Sequence, residues 1–373
     1  MTAGAGMRRG LLALSLALAA CSSSPTGPPP PTVGTWQYLP PGVGAPGVVG
    51  PEWAWTGSRL FALGRANASQ TDSAATLLDP ATGVWTPASA VGQPNPRSYG
   101  FAAWTGTEVF VWSGVFNGED LADGGLYNPA TDSWRPLSAA PIAPRHLGTA
   151  VWTGTFVIVW GGQSHDSANN IVTFNDGARF DPVAGEWSLI STSGGPRAMS
   201  QHAAVWTGSR MIVWDGVIDG GAGAYDPISD AWTPISTAGA PSPRNHCAAV
   251  WTGTEMIVLA GQCVGSYCRD GGRYNPATDT WTLFNIPAPS GYITGTSAAW
   301  SGNRLMTWGW VPSGSGWGGI YDPQADTWEE MAPAPSQLAG RAPDIVTWTG
   351  SSAIVYGGAI NELIFADGAL FTP

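Results

Sequence analysis

Four arginines stand at a fixed distance ahead of a tryptophan: Arg97, Arg145, Arg244 and Arg341 each precede a Trp-Thr-Gly tripeptide by seven residues, and Arg197 precedes another by nine. Aspartates recur in the same way, four residues ahead of an aromatic, at Asp123, Asp176, Asp270 and Asp367. Guanidinium forks bind carboxylates in bidentate fashion, so the pattern has two chemical readings. Arginines open to solvent would line a funnel for a carboxylate ligand or an acidic peptide, and Arg97, Arg145, Arg197, Arg244 and Arg341 are the candidate ligand residues on that reading. Arginines turned to the aspartates would close ion pairs between neighbouring units. Recurrence of both residue types at one spacing favours the internal pairs. The stretch Ser290-Gly291-Tyr292 and the first unit lack the arginine and break the pattern.

The other reactive side chains do not assemble a catalytic motif. His146, His202 and His246 fall shortly ahead of three of the Trp-Thr-Gly tripeptides, and His165 lies in the polar stretch Gln163 to Asn170. That stretch has oxygen ligands for calcium but not the spacing of a calcium loop. No Gly-x-Ser-x-Gly elbow, phosphate loop or His-Glu-x-x-His pair occurs. Pairs of carboxylates can be drawn from any ring carrying 26 acids, so they single out no acid–base residues. Cys263 and Cys268 are close enough to close a small disulfide loop in an oxidising compartment. Cys247 beside His246 lacks the four-ligand pattern of a zinc site and reads as a buried thiol. We therefore assign no catalytic residue, no metal and no cofactor from sequence.

The chain has 373 residues, 11% of them charged and 43% hydrophobic, with 21 Trp, a net charge of −11 and no lysine. That acidity argues against a nucleic-acid partner or an anionic membrane surface bound through bulk charge. Arg8-Arg9 and the apolar run Leu11 to Ala20 form a leader too short for a membrane-spanning helix, which needs about 20 residues. Its end, Leu18-Ala19-Ala20-Cys21, resembles the bacterial lipobox, which implies cleavage before Cys21 and lipidation of its sulfur. Loss of Arg8 and Arg9 with the leader takes the net charge from −11 to −13. Residues 21–33, rich in Pro and Ser, read as a tether. Ser22 after the lipidated cysteine resembles the outer-membrane sorting pattern. The expectation is an envelope protein whose only membrane contact is its lipid.

Residues 34–373 are built from a repeat. Trp-Thr-Gly, once Trp-Ser-Gly, begins at Trp55, Trp104, Trp152, Trp206, Trp251, Trp300 and Trp348. Periods near 49 residues indicate propellers or solenoids. After each tripeptide come an apolar run often ending in Gly, a run closing with an aromatic and Pro (Tyr127-Asn128-Pro129, Phe180-Asp181-Pro182), a polar turn and a further Trp. Each unit thus reads as four short strands joined by hairpins. The fourth-strand tryptophans number only six, Trp85 to Trp328, while Gly34-Thr35-Trp36-Gln37-Tyr38-Leu39-Pro40 fits the missing one. The expected fold is all-β, a seven-bladed β-propeller whose last blade is completed by the N-terminal strand, with its core formed chiefly by tryptophans of strands one and four.

The glycine pairs after strand two, the strand-three aromatic and the strand-four Trp resemble the kelch repeat over about 340 residues. That resemblance implies that strand one is innermost and that the arginines ring one mouth of a central channel. Galactose-oxidase-like enzymes share the scaffold, but His246, Cys247, Tyr267 and Cys268 do not reproduce their copper ligands, and with the last unit read as ending in strand three the domain that follows their propeller is not expected here. Sialic-acid mutarotases, also similar, imply a six-bladed ring. The expected role is a monomeric, non-catalytic module that binds an envelope protein or glycan; the alternative is a carbohydrate-active enzyme on the same scaffold.

Overall fold

The computed structural model describes residues 32–42, 50–65, 73–214, 221–263, 265–288, 294–311, 316–360 and 363–373. The leader, Cys21 and most of the tether lie outside them. Residues 32–373 form one compact unit.

β-branched and aromatic runs of four to seven residues, each closed by a glycine or Asx turn, give antiparallel hairpins throughout. The described strands assemble seven sheets of four or five strands. In the third, Thr149–Trp152, Val157–Trp160, Gly177–Asp181 and Glu186–Leu189 pair in sequence order. The seventh takes its fourth strand from the other end of the chain: Thr35–Leu39 pairs antiparallel with Gly368–Thr372, Trp36 opposite Phe371. This is the strand expected from the missing tryptophan. It protects an edge that would otherwise offer unpaired backbone. Thr32–Val33 does not belong to a free tether; it adds a short parallel strand against Glu330 and Met331 of the sixth sheet, because its backbone meets that open edge. No helix among the described residues is long and apolar enough to cross a membrane.

Seven hydrophobic clusters lie between successive sheets, the last joining the seventh to the first through Ile345, Ile354 and Tyr356 against Leu60, Ala62 and Leu78. Their composition corrects the expected tryptophan core. The most buried side chains come from strand two, such as Val157, Ile158, Val159 and Trp160, and from the strand-three aromatics Tyr127, Tyr225, Tyr274 and Tyr321. Strand-one tryptophans are half-buried at the rim of each layer. Five of the seven in strand four use the indole N–H, while the buried Nε1 of Trp85 and Trp328 has no partner. Trp134, Trp232 and Trp281 donate Nε1 to the Ser89, Ser191 and Ser236 carbonyls of the preceding sheet at 2.9, 2.7 and 2.8 Å. The Asp of each polar turn completes the same stitch. Asp132, Asp230 and Asp279 accept the hydroxyls of Tyr127, Tyr225 and Tyr274 and the N–H groups of Ser89, Ser191 and Ser236.

Candidate ligand site at the channel mouth

First strands of consecutive sheets pack side by side from the first sheet through to the seventh, so strand one is innermost and the segment leading into it rims one end of the channel. The recurring arginines sit in this segment, but the structure corrects the expectation of an arginine-lined mouth. Arg97, Arg145, Arg244 and Arg341 are 0, 0, 1 and 2% exposed. Each guanidinium is spent inside its own sheet. Arg97 donates Nη2 to Asp123 at 2.8 Å, Nη1 to the Ser113 and Asp123 carbonyls at 2.9 and 3.0 Å, and Nε to the Asn95 carbonyl. Arg145 pairs with Asp176 at 2.6 Å and Arg244 with Asp270 at 2.6 Å, while Arg341 pairs with Asp367. The partners also differ from the expected inter-unit pairs. Each Arg–Asp clasp ties the entries to strands one and three of a single sheet, and those of Arg97, Arg145 and Arg244 also hold the end of strand two. Arg197 is exposed, and the fourth sheet has no aspartate at the position of Asp123.

A side chain from the hairpin between strands two and three covers some of these guanidiniums, Phe174 over Arg145 at 4.0 Å and Phe365 over Arg341 at 4.6 Å. In the fifth sheet the equivalent position is Cys268. It is 2% exposed and joined to Cys263 in the expected disulfide. Cys247 is half-buried and outside that bond.

Two residues beyond the arginine's place the backbone turns left-handed in the first five sheets, whereas in the seventh that residue is Pro343 and φ is not positive. Tyr99, Leu147, Gln201 and His246 have φ of 60, 59, 58 and 51°, and Gly50 holds the same place in the first sheet with φ 61°. For residues with a Cβ this conformation costs about 1–2 kcal/mol each. It turns their N–H groups along the rim. Tyr99 N donates to the Gly50 carbonyl at 2.8 Å, Leu147 N to that of Tyr99 at 2.9 Å, Gln201 N to that of Leu147 at 2.7 Å and His246 N to that of Gln201 at 3.2 Å. A belt of backbone hydrogen bonds therefore crosses five sheets. At its start Gly50 N meets a carboxylate of the seventh sheet, Asp344, at 3.3 Å, and Gly358 N donates to the other oxygen of that carboxylate at 2.6 Å. Burial pushes the Asp344 carboxyl up to about 6, against those two amides and Arg341. The mouth thus presents a phenol, an isobutyl, an amide and an imidazole in place of the four buried guanidinium groups, with Arg197 the one exposed arginine among the five candidates. Sequence reading overlooked these positions, although a residue five ahead of each Trp that varies between repeating neighbours was there to be seen.

The repeat symmetry also breaks where the second, third and fourth sheets meet. Asp120, on the hairpin of the second sheet, binds His146 Nδ1 at 2.6 Å. Gln163 lies 3.3 Å from His146 Nε2 and accepts from the Ser200 hydroxyl at 2.8 Å, and the His165 ring stacks on His146 at 5.6 Å. The tautomer satisfying both contacts has Nδ1–H donating to Asp120 and Nε2 accepting from the Gln163 amide. The basic nitrogen is then already occupied. His202 is buried against Thr149 at 2.8 Å, and desolvation lowers its pKa to about 3, so it is neutral at pH 7. Desolvation lowers the pKa of His246 as well. Among the described residues, no three His, Cys, Asp or Glu side chains converge as metal ligands.

Comparison with known proteins accords with this geometry. Residues 54–216 and 147–358 match the family model described as the KLHDC2/KLHL20/DRC7 Kelch-repeats domain. A solved structure titled "Structure of YjhT" is similar with a TM-score of 0.57 at 16% identity, over 76% of this chain and 95% of that one. At that identity the likeness extends to the fold alone. No curated protein matches the chain.

Proposed function

The chain belongs to the kelch-repeat family, and from that premise we propose that it is a seven-bladed, lipid-anchored propeller of a bacterial cell envelope that binds a protein or glycan at its channel mouth without transforming it. Kelch propellers serve as binding modules and as enzyme scaffolds, so the site must decide. One observation carries the binding reading. The mouth holds Tyr99, Leu147, Gln201 and His246 in a strained backbone conformation while the charged groups nearby are consumed by the scaffold. Strain held at a surface ring is a signature of a functional rim. Its neutral, partly aromatic groups suit a peptide or sugar, which offers hydroxyls, amides and apolar faces in place of net charge. The seven sheets, with a cluster across the junction of the last and first, support a ring of seven. The leader ending at Cys21 supports a lipid anchor that holds the monomer at the outer membrane, with Arg197 a further contact at the mouth.

The experiment is crosslinking in cells on the full chain, with captured species identified by mass spectrometry. The control combines Tyr99→Ala, Gln201→Ala and His246→Ala, after its unfolding midpoint is checked. A stoichiometric protein or glycan lost from the folded control is the expected result. A partner retained by that control would refute the mouth as the site, and turnover of a captured sugar would replace binding by catalysis. Cys21→Ser, expected to release the protein from membranes, tests the anchor separately.

A further inference from the structure

Away from the channel, neighbouring sheets are tied by an arginine that reaches across to a proline carbonyl. Arg135, in strand four of the second sheet, donates Nη2 to Pro182 O at 2.5 Å and forks onto Glu108 at 2.9 and 2.7 Å. Arg179, in strand three of the third, donates Nη1 to Pro227 O at 2.7 Å and lies over the Phe156 ring. Arg273, in strand three of the fifth, donates Nη1 to Pro323 O. Each accepting proline ends the aromatic–Asp–Pro stretch of strand three in the next sheet. Three boundaries thus carry the same arm from one of two places: the residue before the strand-three aromatic, or its cross-strand partner in strand four.

The fourth sheet supplies neither. Its strand-three place is Ala224, and the cross-strand partner is Thr233, paired with Ala224 as Arg135 is with Leu126. What remains is a groove of about 740 Å³ against the fifth sheet, walled by Ala224, Thr233, Trp251, Tyr274, Pro276 and Asp279. The neighbouring charges agree. Arg179 and Arg273 oppose the rise in pKa of the tyrosines they face, Tyr225 and Tyr321, and Arg59 does so at Tyr127. At Tyr274 the charge in play is the Asp279 carboxylate, whose pKa is held down by the Ser236 N–H and the tyrosine hydroxyl. Arg210 also borders the groove, but its charge acts on Asp226 of its own sheet. The first, sixth and seventh sheets lack the arm too, with Leu77 and Thr86, Ile320 and Glu329, and Leu370 and Gln37 at the two places; in the sixth Arg304 is pinned by Asp322 and Glu329 at 3.3 and 3.1 Å, and Val33 and Ile320 wall the space.

We infer that the groove between the fourth and fifth sheets receives an arginine side chain from a partner protein, its guanidinium donating to the Pro276 carbonyl as Arg179 donates to Pro227. The fold selects the occupant, since it seats a guanidinium on the equivalent carbonyl at three other boundaries. Charge selects it as well: a chain of net charge −11 attracts a basic partner. The groove lies at the far end of strand one from the mouth, so this docking site is independent of the mouth's ligand.

The test titrates N-acetyl-arginine methylamide, and the citrulline analogue, which is neutral but nearly isosteric, into the full chain. The Trp251 indole signal is followed by NMR and identified with Trp251→Phe. The arginine compound is expected to bind saturably with a millimolar midpoint, and citrulline at least fivefold more weakly. Ala224→Arg supplies the arm from strand three and Thr233→Arg from strand four; either should weaken binding tenfold or more at an unchanged or raised unfolding midpoint. Equal binding of arginine and citrulline by the native chain overturns the proposal whatever the variants do, and so does undiminished binding in either folded variant. A lack of saturable binding overturns it too.

Discussion

Removing the aspartate from each Arg–Asp clasp is expected to destabilise the protein in the order of that aspartate's burial. The arginine side chains are alike, 0, 0, 0 and 2% exposed, but their partners are graded: Asp123 is 42% exposed, Asp176 38%, Asp270 29% and Asp367 9%. Breaking a fully buried ion pair costs about 3–5 kcal/mol, because the remaining charge is left without compensation. Exposure discounts this, since water can enter where an exposed carboxylate stood. Each guanidinium also keeps backbone carbonyl acceptors after the change. Asp123→Ala should therefore cost about 1–2 kcal/mol and Asp270→Ala about 2–3. Asp367→Ala should cost about 4 kcal/mol or more, because Asp367 also accepts the Tyr38 hydroxyl from the N-terminal strand at 2.8 Å, and a hydrogen bond to a charged group is worth about 1.5–3 kcal/mol. Urea unfolding followed by tryptophan fluorescence measures the series, with a constant slope as the check that one transition is being compared. A flat series, or four costs below about 0.5 kcal/mol, would refute the clasp and return these arginines to the list of ligand groups.

Gly358→Ala should cost about 3 kcal/mol or more in the same assay, since φ is +98° and the added Cβ would collide with the Ala342 carbonyl oxygen. Reducing Cys263–Cys268 opens a loop of sequence separation 5, and should lower stability by about 2 kcal/mol, read as a drop in unfolding midpoint with reductant. The pH profile has two opposing parts. His202 titrates near 3 when folded against 6.5 when unfolded, so its contribution is complete above pH 6.5 and lost as pH falls toward 3. Asp344 titrates near 6 when folded against 3.8, so its contribution grows as pH falls from 7 toward 4. Asp344→Asn should then show a steeper acid decline between pH 6 and 4 than the native chain, and a parallel profile would refute the assignment.

The sheets were legible because each repeat announces itself locally. A Trp-Thr-Gly turn, an Asx turn and a run of alternating apolar residues fix a hairpin whatever its neighbours do, and the unmatched count of strand-four tryptophans was enough to send Trp36 to Phe371. The Arg–Asp pairing was legible too, from coincidence of period. Which units the pairs would join was not. Spacing along the chain is the same for an aspartate reached within a sheet and one reached across a boundary, and only the turn of the backbone at the end of strand two decides. Burial of the tryptophans was misjudged for a related reason. Area does put Trp112 and Trp160 of strand two in the core, fully buried with no acceptor for Nε1, but at strand four Trp134 and Trp232 stay at the boundary, where Ser89 and Ser191 offer their carbonyls.

What distinguishes this propeller from any other of its architecture must lie where the repeat is not obeyed. Residues that recur are largely accounted for: arginine by aspartate, tyrosine by the turn aspartate, and five of the seven strand-four indoles by the previous sheet. At the mouth the backbone does the structural work through the N–H belt, so the side chains of Tyr99, Leu147, Gln201 and His246 are held at the rim by atoms common to every residue. Their chemistry was therefore free to diverge without loosening the ring, and it did, into four different groups. The boundary between the fourth and fifth sheets lacks the arginine arm that three others carry, with an alanine at its place. Substitution at one end of strand one and a missing arm at the other leave two surfaces that the scaffold shapes and does not fill, and these are the places through which a partner would tell this scaffold from another.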